Sequence, residues 1–508
     1  MILLDGQSLT LDALVAIAVR REPAGIAPAA VARVRRARAI VDRHAAGTAP
    51  VYGINTGFGS LAEVAIPRDK LSALQVNLLR SHASGVGEPL DIPAVRATLA
   101  LRANVLAKGF SGIRLETLQA LLNALNAGVH PRVPSRGSVG ASGDLAPLAH
   151  LALVLIGEGE ALAEDGSTIS GLDALRAAGL TPVSLEAKEG LALINGTQPS
   201  AALLGLAVAG AGHLARAADV AAALSIDALK GSTTPFDQRI HDARGFAGQK
   251  VSAANIRALL EGSAINASHA GCGRVQDAYS LRCAAQVHGA ARDAIAYARH
   301  AAETEANAGT DNPMVFVGDG ESHDSGEIVS GGNFHGAPVA IAADLLAIGL
   351  VHLATIAERR TDRMMNPALS GLPPFLTRDS GLHSGFMMAQ VASAALTSEL
   401  KTLAHPASVD TIPTSASRED HVSMSMGAAL KCRRSVELAA RVIAIEIMCA
   451  CQAIDLLAPL ETSPRLRTVH AAVRRLVPGL GDDRPPSPDI ETITGLILSG
   501  ALTGDTLL

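Results

Sequence analysis

The chain has almost no aromatic residues. It contains no tryptophan, three tyrosines and eight phenylalanines, so aromatic side chains make up 2% of its 508 residues. Hydrophobic residues still account for 48% of the sequence, and alanine, leucine and valine must therefore fill most of the core. Helices that are apolar on several faces are usually surrounded by other helices. The composition thus favours a large helical bundle that could continue across subunits.

An excess of charge is also lacking. The formal net charge is −5 and no basic block stands out, so nucleic acid is not expected as a partner. The first residues, Met1 to Asp5, lack the basic stretch of a secretory signal peptide. The apolar run at 438–457 is interrupted by Arg441 and Glu446, which predicts a buried helix and no membrane span.

Cysteine is scarce as well. The five cysteines are odd in number and lack the spacing of a zinc site, so they predict reduced thiols in a cytoplasmic protein without a metal centre. They are Cys272, Cys283, Cys432, Cys449 and Cys451.

Long helical patterns dominate the chain from residue 199 onward. They cover about 199–229, 274–307, 335–365, 384–404 and 420–457. We expect a mainly α protein in which residues 1–198 form a smaller, α-rich N-terminal part. Residues 199–508 are expected to form a central bundle of long helices followed by C-terminal helices. No repeat or low-complexity linker separates the two parts, so we expect contiguous packing.

The N-terminal part contains a stretch with glycine at every third position. Gly137, Gly140 and Gly143 allow tight turns and close backbone approach. Asp144 occupies the position of an N-cap for the helix that follows. A turn before a helix would explain this pattern, whereas a phosphate cradle is a weaker interpretation because no Gly-Lys-Ser/Thr follows.

The triplet inside this stretch permits an unusual backbone reaction. Only small residues flank Ser142, and the unhindered amide nitrogen of Gly143 could attack the carbonyl carbon of Ala141. Ring closure and the loss of two waters would give 4-methylidene-imidazol-5-one (MIO), an electrophile made from the chain without an external cofactor. Normal side chains supply nucleophiles, acids and bases but no strong electrophile, so a reaction that needs one must recruit it.

Three polar residues later in the chain share a predicted helix. Gln276, Tyr279 and Arg282 are spaced i, i+3 and i+6, which places them within about a third of the helix circumference. Arginine can hold a carboxylate through two hydrogen bonds, so this face suits a small polar acid. An ordinary solvated helix face is the alternative.

Other residues have both a structural and a chemical interpretation. Tyr52 lies in a glycine-rich loop and could act as an acid or a base, although a base would need a pKa below the usual value near 10. His82 ends a predicted helix, where a histidine can also interact with the helix dipole. Asn195 could be a turn residue before a helix, and Phe334 a core residue.

Glu419 lies in a segment that predicts the start of a helix. Ser417 and Asp420 have the spacing of a capping box, and a glutamate favours a helix N-terminus.

Residues 140–150 resemble the signature of the histidine and aromatic ammonia-lyase family, in which an Ala-Ser-Gly triplet forms MIO. Their sequence is Gly-Ala-Ser-Gly-Asp-Leu-Ala-Pro-Leu-Ala-His. The resemblance extends from about Leu11 to Leu457, because the segments around eight further residues match family motifs in the same order. These residues are Tyr52, His82, Asn195, Gln276, Tyr279, Arg282, Phe334 and Glu419.

The resemblance implies a mostly helical fold and a homotetramer in which each active site takes residues from three subunits. It also implies that Arg282 binds the substrate carboxylate and that Tyr52, alone or together with Tyr279, removes the β-proton. Asn195 and Gln276 are expected to position the substrate and the electrophile.

Two features of the resemblance imply that L-histidine is converted to trans-urocanate and ammonia. Ser81 and His82 form the pair found in histidine-selective members, and Glu419 resembles the glutamate that meets the imidazole ring. A carboxylate can accept the ring N–H, whereas an apolar ring would leave that carboxylate buried and unpaired. Phe334 is expected to pack near the same site.

Three departures from the family pattern bear on substrate preference. Ala278 stands where proline is usual, Gly336 and Ala337 replace alanine and glutamate, and Arg418 could draw Glu419 into a salt bridge. An ammonia-lyase for tyrosine or phenylalanine is one alternative. An MIO aminomutase, which returns the ammonia to the β-carbon, is another. A non-enzymatic helical relative is a third, more distant alternative.

Overall fold

The computed structural model describes residues 1–163, 165–318 and 325–502. In these residues the mainly α architecture expected from the sequence is confirmed. The described part of the chain has twenty α-helices: α1 (Leu11–Ala18), α2 (Pro28–Ala46), α3 (Leu71–His82), α4 (Ile92–Ala107), α5 (Leu115–Asn126), α6 (Leu145–Leu155), α7 (Gly171–Ala177), α8 (Glu189–Ile194), α9 (Gln198–Ala228), α10 (Gln238–Arg244), α11 (Ala247–Leu260), α12 (Ala264–Ala267), α13 (Tyr279–Arg282), α14 (Ala284–Ala306), α15 (Ala337–Met365), α16 (Pro367–Ser370), α17 (Met387–Leu403), α18 (Ser425–Leu456), α19 (Pro464–Arg474) and α20 (Ser487–Leu498).

The strands are short and form four small sheets among the described residues. They are β1 (Ile2–Leu4), β2 (Ala24–Ile26), β3 (Val86–Pro89), β4 (His130–Pro131), β5 (Pro134–Arg136), β6 (Glu160–Leu162), β7 (Thr168–Ser170), β8 (Met314–Val317) and β9 (Gly326–Val329). β1 and β2 pair in parallel, whereas the pairs β3–β5 and β8–β9 and the three-stranded sheet β4–β6–β7 are antiparallel. Turns of 3₁₀-helix cover Gly59–Leu61, Arg68–Lys70, Thr234–Phe236, Pro374–Leu376 and Ser415–Ser417.

The chain divides into two compact units. The first consists of Met1–Leu206, Arg299–Ala343 and Pro406–Leu430, and the second of Ala207–Ala298, Asp344–His405 and Lys431–Leu508. Each unit combines three stretches of chain, so the first contains the predicted N-terminal part together with two later stretches.

The core of the first unit is built around α4, which packs against α1 and α5. Every residue from Ala94 to Ala107 in this helix is buried, as expected for a helix with neighbours on all sides. Arg96 is among them, and its guanidinium donates to the carbonyl oxygens of Ile17 and Leu125. A second group of helices, α3, α6 and α8, packs together in the same unit.

The second unit contains buried ion pairs between its helices. Arg360 on α15 donates to both carboxylate oxygens of Glu446 on α18, and neither side chain is exposed. Asp219 on α9 accepts from His288 on α14 at 2.8 Å. Burial lowers the pKa of His288.

Two helices in the described part of the chain are long and apolar enough to cross a membrane. They are α9 and α15. Of the most apolar segment of each helix, 67% is buried inside the protein in α9 and 61% in α15. A core helix of a large helical bundle has the same composition.

Candidate active site

Local pairing places the end of α3 beside the glycine-rich stretch. β3, four residues after α3, pairs with β5, which leads directly into Gly137. A Cβ atom at Gly137 would lie 3.1 Å from the Cα of Gly85, so glycine permits this close approach. The pairing therefore brings His82, the last residue of α3, to the same cavity as the Ala-Ser-Gly triplet.

Gly140, just before the triplet, and Gly143, its last residue, are both too closely surrounded to carry a side chain without a shift of their neighbours. Gly143 forms a bridge with Gly196, and a Cβ atom at Gly143 would lie 2.2 Å from the Gly196 oxygen. A Cβ atom at Gly140 would lie 2.2 Å from the Ser423 hydroxyl oxygen, which donates to the Gly140 carbonyl at 3.0 Å. Met424 N donates to the carbonyl of Val139 at 2.8 Å. The triplet is thus held by residues far apart in sequence.

Asp144 does not act as the side-chain N-cap that the sequence predicted for α6, because its side chain makes no capping bond to that helix. One carboxylate oxygen accepts from the Ser138 hydroxyl at 2.6 Å and the other from the Ser200 amide at 2.9 Å. Ser200 lies in the first turn of α9, so Asp144 joins the loop to a different helix. Burial raises the pKa of Asp144.

A cavity of about 260 Å³ opens beside Ser142. It is lined by Ser81, His82, Ser84, Gly137, Ser138, Val139, Ala141, Ser142, Gly143, Leu145, Ala146, Thr414 and Glu419. The structure therefore brings together the triplet, His82 and Glu419, all of which the sequence singled out.

Glu419 makes the most direct side-chain contact with the triplet. Its Oε1 accepts from the Ser142 hydroxyl at 2.8 Å, and its Oε2 accepts from the Thr414 hydroxyl at 2.6 Å. Backbone pairing between Thr414 and Glu419 fixes this turn. Arg418 is exposed and forms no ion pair with Glu419 in the described part of the chain. The salt bridge considered from the sequence is therefore absent there.

His82 is half-buried on the wall of the cavity. Its Nδ1 lies 2.9 Å from the Leu78 carbonyl oxygen and 3.0 Å from the Ser81 hydroxyl oxygen. Burial lowers the pKa of His82, while the Leu78 carbonyl and the charge of Glu419 raise it. The balance favours a neutral imidazole that is electrostatically linked to Glu419.

Asn195 contacts the triplet from the side of α9. Its Nδ2 donates to the Ser142 carbonyl at 3.4 Å. The main-chain carbonyl of Asn195 accepts from the Arg102 guanidinium at 2.8 Å. Its Oδ1 is buried without a hydrogen-bond partner. Arg102 is fully buried, and burial lowers its pKa to about 10. Asn195 therefore has a fixed backbone and one side-chain oxygen free to accept a hydrogen bond.

Tyr52 and Phe334 also belong to the first unit, but neither lines this cavity. The Tyr52 hydroxyl accepts from the Gly59 amide at 3.4 Å, and its ring meets the edge of Phe58. Phe334 is half-buried in the turn before α15. Just after it, a Cβ atom at Gly336 would lie 2.4 Å from the Ser425 hydroxyl oxygen, so alanine at this position would require Ser425 to shift.

The prediction that Gln276, Tyr279 and Arg282 share one helix face is wrong. Residues 274–278 are not helical, and α13 contains only Tyr279 to Arg282. All three residues lie in the second unit, where Gln276 and Arg282 line a cavity of about 410 Å³. The Arg282 guanidinium carbon lies 4.6 Å from the ring centroid of Tyr279, and Arg282 Nε is buried without a partner.

The predicted capping box at Ser417 is also wrong. Ser415, Ala416 and Ser417 have positive φ values of 50°, 53° and 63°, and α18 begins only at Ser425. The left-handed backbone makes the tight turn that carries Glu419. Sequence reasoning missed Thr414 as a partner of Glu419, since the two are five positions apart and neither an α-helix nor a β-strand brings side chains at that spacing together.

The residues around the triplet fit an MIO group. Ala141 and Gly143 leave little side-chain bulk beside Ser142, and the glycine contacts described above hold the backbone compactly. The unpartnered Oδ1 of Asn195 offers a buried acceptor next to the same segment. The polar surroundings that such a group would need are thus supplied by the chain itself.

The chain belongs to the aromatic amino acid lyase family, whose model matches residues 9–475. It is 57% identical over 509 residues to the histidine ammonia-lyase of Anaeromyxobacter sp. (strain K), covering 99% of both chains. Its structure is similar to that of histidine ammonia-lyase from Trypanosoma cruzi, with a TM-score of 0.91 and 47% identity over 99% of this chain and 94% of that chain. The structure of tyrosine aminomutase from Streptomyces globisporus is also similar, with a TM-score of 0.92 and 39% identity over 99% of this chain and 97% of that chain.

Proposed function

We propose that the protein converts L-histidine into trans-urocanate and ammonia without oxidation. The Cα–N bond and a Cβ–H bond break, a carbon–carbon double bond forms between these two carbons, and ammonia leaves. The similarity to histidine ammonia-lyases over almost the whole chain supports this reaction. The reaction is difficult because the β-proton is only weakly acidic and because ammonia is a poor leaving group. When formed from Ala141, Ser142 and Gly143, the MIO group supplies the electrophile that the reaction needs.

The observation that carries this proposal is the hydrogen bond between Ser142 and Glu419. The Ser142 hydroxyl leaves as water when the ring forms, and Glu419 Oε1 then loses its donor at 2.8 Å. Its other oxygen stays bound to Thr414. A carboxylate with one free oxygen on the wall of a small cavity is a suitable acceptor for an imidazole N–H. His82 on the same wall supports selection of a polar ring.

We infer that the remaining roles are those implied by the resemblance. Tyr52, alone or with Tyr279, takes the β-proton, and Arg282 binds the substrate carboxylate through its planar fork. Asn195 and Gln276 position the substrate, and Phe334 packs against it. Gln276, Tyr279 and Arg282 belong to the second unit and do not line the cavity at Ser142. A homotetramer with shared active sites would supply these residues from other subunits.

An aminomutase is the second candidate function, because the structure is as similar to tyrosine aminomutase as to histidine ammonia-lyase. It would use the same electrophile but retain the ammonia in a β-amino acid. Glu419 argues against a purely apolar substrate ring, since its carboxylate would stay unpaired in the cavity. We expect the enzyme to act in the cytoplasm on the free amino acid.

The test is a comparison of kcat/KM for L-histidine, L-tyrosine and L-phenylalanine, with product analysis for unsaturated and β-amino acids. Urocanate should dominate. Glu419→Ala should lose histidine turnover far more than residual turnover of phenylalanine, whereas the control Glu437→Ala should leave both unchanged. A higher kcat/KM for tyrosine or phenylalanine would overturn the histidine assignment, and a β-amino acid as main product would establish the aminomutase.

A further inference from the structure

A second cavity in the first unit shares no lining residue with the cavity at Ser142. It has a volume of about 520 Å³. Its wall combines three basic side chains, two phenylalanines and an amide. These are Arg33, Arg36, Lys108, Phe110, Phe316 and Gln7. The proposed reaction uses none of them, so the cavity calls for an explanation of its own.

Among the described residues, the three cations of this cavity donate to backbone carbonyls and to no carboxylate. Arg33 donates to the Asp5 carbonyl at 2.6 Å, and Arg36 to the Gly318 carbonyl at 2.7 Å. Lys108 Nζ donates to the carbonyls of Gly6 and Asn307. In the described part of the chain none of the three forms an ion pair. Carbonyl groups carry no full charge, and Asp5 is the carboxylate whose charge acts on Lys108, so within the described ranges a single negative charge faces three positive ones.

Two further observations indicate that this cavity suits an anionic ligand. Arg33 Nε is buried and has no hydrogen-bond partner within residues 1–163, 165–318 and 325–502, so the guanidinium has a donor to spare there. Burial is the main cause that lowers the pKa of Lys108; the positive charge of Arg33 lowers it further, and the negative charge of Asp5 raises it. The side chain of Asp5 is already engaged, since it accepts from the Ser8 hydroxyl and from two backbone amides.

The aromatic side of the cavity presents an apolar surface of two rings next to these charges. The rings of Phe110 and Phe316 lie 5.4 Å apart between centroids and are tilted by 47°. Phe316 is 39% exposed although it is large and apolar. Gly109, with φ of +87°, forms the turn between Lys108 and Phe110 and so puts a cation and a ring on the same wall.

We propose that this cavity binds a small anion in which a phosphate group is joined to a planar ring, as in a nucleoside monophosphate. Arg33, Arg36 and Lys108 would hold the phosphate, because arginine forks and a lysine point charge match its oxygens. The planar ring would stack on the exposed face of Phe316, and Gln7 offers both a donor and an acceptor to the edge of a base.

A purely structural role is the competing explanation, in which the cations only fasten the N-terminal segment to the rest of the unit. The two explanations differ in their dependence on ligand. A ligand that binds only the folded state raises Tm with the logarithm of its concentration, whereas a structural contact changes Tm by a constant amount. The control is Arg257→Met, because Arg257 is also a helix arginine that donates to a backbone carbonyl, that of Phe236, at 2.9 Å.

The experiment measures Tm and binding heat for AMP, adenosine and inorganic phosphate at constant ionic strength. AMP should raise Tm, phosphate should raise it less, and adenosine should have no effect. Arg36→Met should weaken AMP binding at least tenfold, and Phe316→Leu should weaken AMP binding but not phosphate binding. Arg257→Met should bind AMP like the unchanged protein, and all three variants should keep histidine turnover.

Three results would overturn the proposal. One is the absence of any AMP-dependent shift. Another is an equal shift in the unchanged protein and in Arg36→Met. The third concerns Asp319, Glu321 and Asp324, which follow Gly318 in the sequence and lie outside the described residues. If AMP bound only after these three were changed to Asn, Gln and Asn, the chain's own carboxylates would be the partners of the cations.

Discussion

At the scale of single residues, the proposed chemistry begins at Ser142. We predict that the Ala141-Ser142-Gly143 triplet cyclises, so intact mass spectrometry should give a chain two waters lighter than the translated sequence. Ser142→Ala should keep the unmodified mass and lose almost all activity, because the electrophile cannot form. Ser72→Ala removes a hydroxyl elsewhere in the unit and should still show the mass loss. An active protein with the unmodified mass would refute the electrophile. The absence of tryptophan leaves the near-ultraviolet region clear for the new absorbance.

The three tyrosines allow a matched comparison at the same scale. Tyr52→Phe or Tyr279→Phe should lower kcat by about 10²–10⁴-fold if each takes part in proton removal. Tyr297→Phe is the control, since Tyr297 is the remaining tyrosine and is 46% exposed on its helix. Near-normal kcat in both of the first two variants would rule out a tyrosine base.

Arg282 should behave differently from the tyrosines. Arg282→Lys keeps the positive charge but loses the planar fork, so KM for histidine should rise along with any fall in kcat. Steady-state kinetics at several histidine concentrations separate the two constants. An unchanged KM in Arg282→Lys would contradict the proposal that Arg282 binds the substrate carboxylate.

At the scale of elements, the turns around the triplet depend on glycine for two separable reasons. Gly140 and Gly179 have nearly the same φ, +68° and +69°, but only Gly140 is crowded by Ser423 and Ser425. Alanine at either site should cost about 1–2 kcal/mol for the left-handed backbone. Gly140→Ala should also lose activity and the mass change, whereas Gly179→Ala should keep both. Chemical unfolding and mass spectrometry check the pair, and equal activity in both variants would contradict the crowding argument.

β4 contains a pH-sensitive residue outside the site. Burial, together with the charges of Arg96 and Arg21, lowers the pKa of His130 from 6.5 to about 4. Between these values the unfolded chain binds a proton that the folded chain does not, so stability must fall as the pH drops from about 6.5 toward 4. His130→Gln should make this decline shallower in urea unfolding, and His405→Gln, an exposed histidine, should not. A decline of unchanged steepness in His130→Gln would contradict the prediction.

The sequence predicted elements better than it predicted the contacts between them. The helices α9, α15 and α18 follow from long apolar patterns, and α9 lies within one residue of its predicted bounds. The partners of Asp144 could not be predicted from the sequence. An aspartate at this position can cap α6 or accept a hydrogen bond from α9, and the residue type is the same in both cases. Thr414 was missed for a related reason, since its role follows from a left-handed turn that no periodic pattern encodes.

At the scale of the whole molecule, an exposed apolar stripe favours assembly. Ile341, Leu345 and Ile348 on α15 are 51%, 37% and 37% exposed and share one helix face. We predict a homotetramer with shared active sites, and Leu345→Glu should dissociate it and lower activity together. Light scattering and activity on the same sample test this. An active monomer would contradict the shared site.

We infer that the contacts that hold Gly140 also set when during synthesis the triplet can react. The Ser423 hydroxyl that holds the Gly140 carbonyl lies 283 positions later in the chain. At 5–20 residues per second, a ribosome needs roughly 15–60 s to cover that distance. If ring closure needs this contact, a chain that stops before residue 423 keeps an ordinary serine at position 142. The proposed electrophile would then arise only after most of the polypeptide has been made, and truncated chains would carry no electrophile.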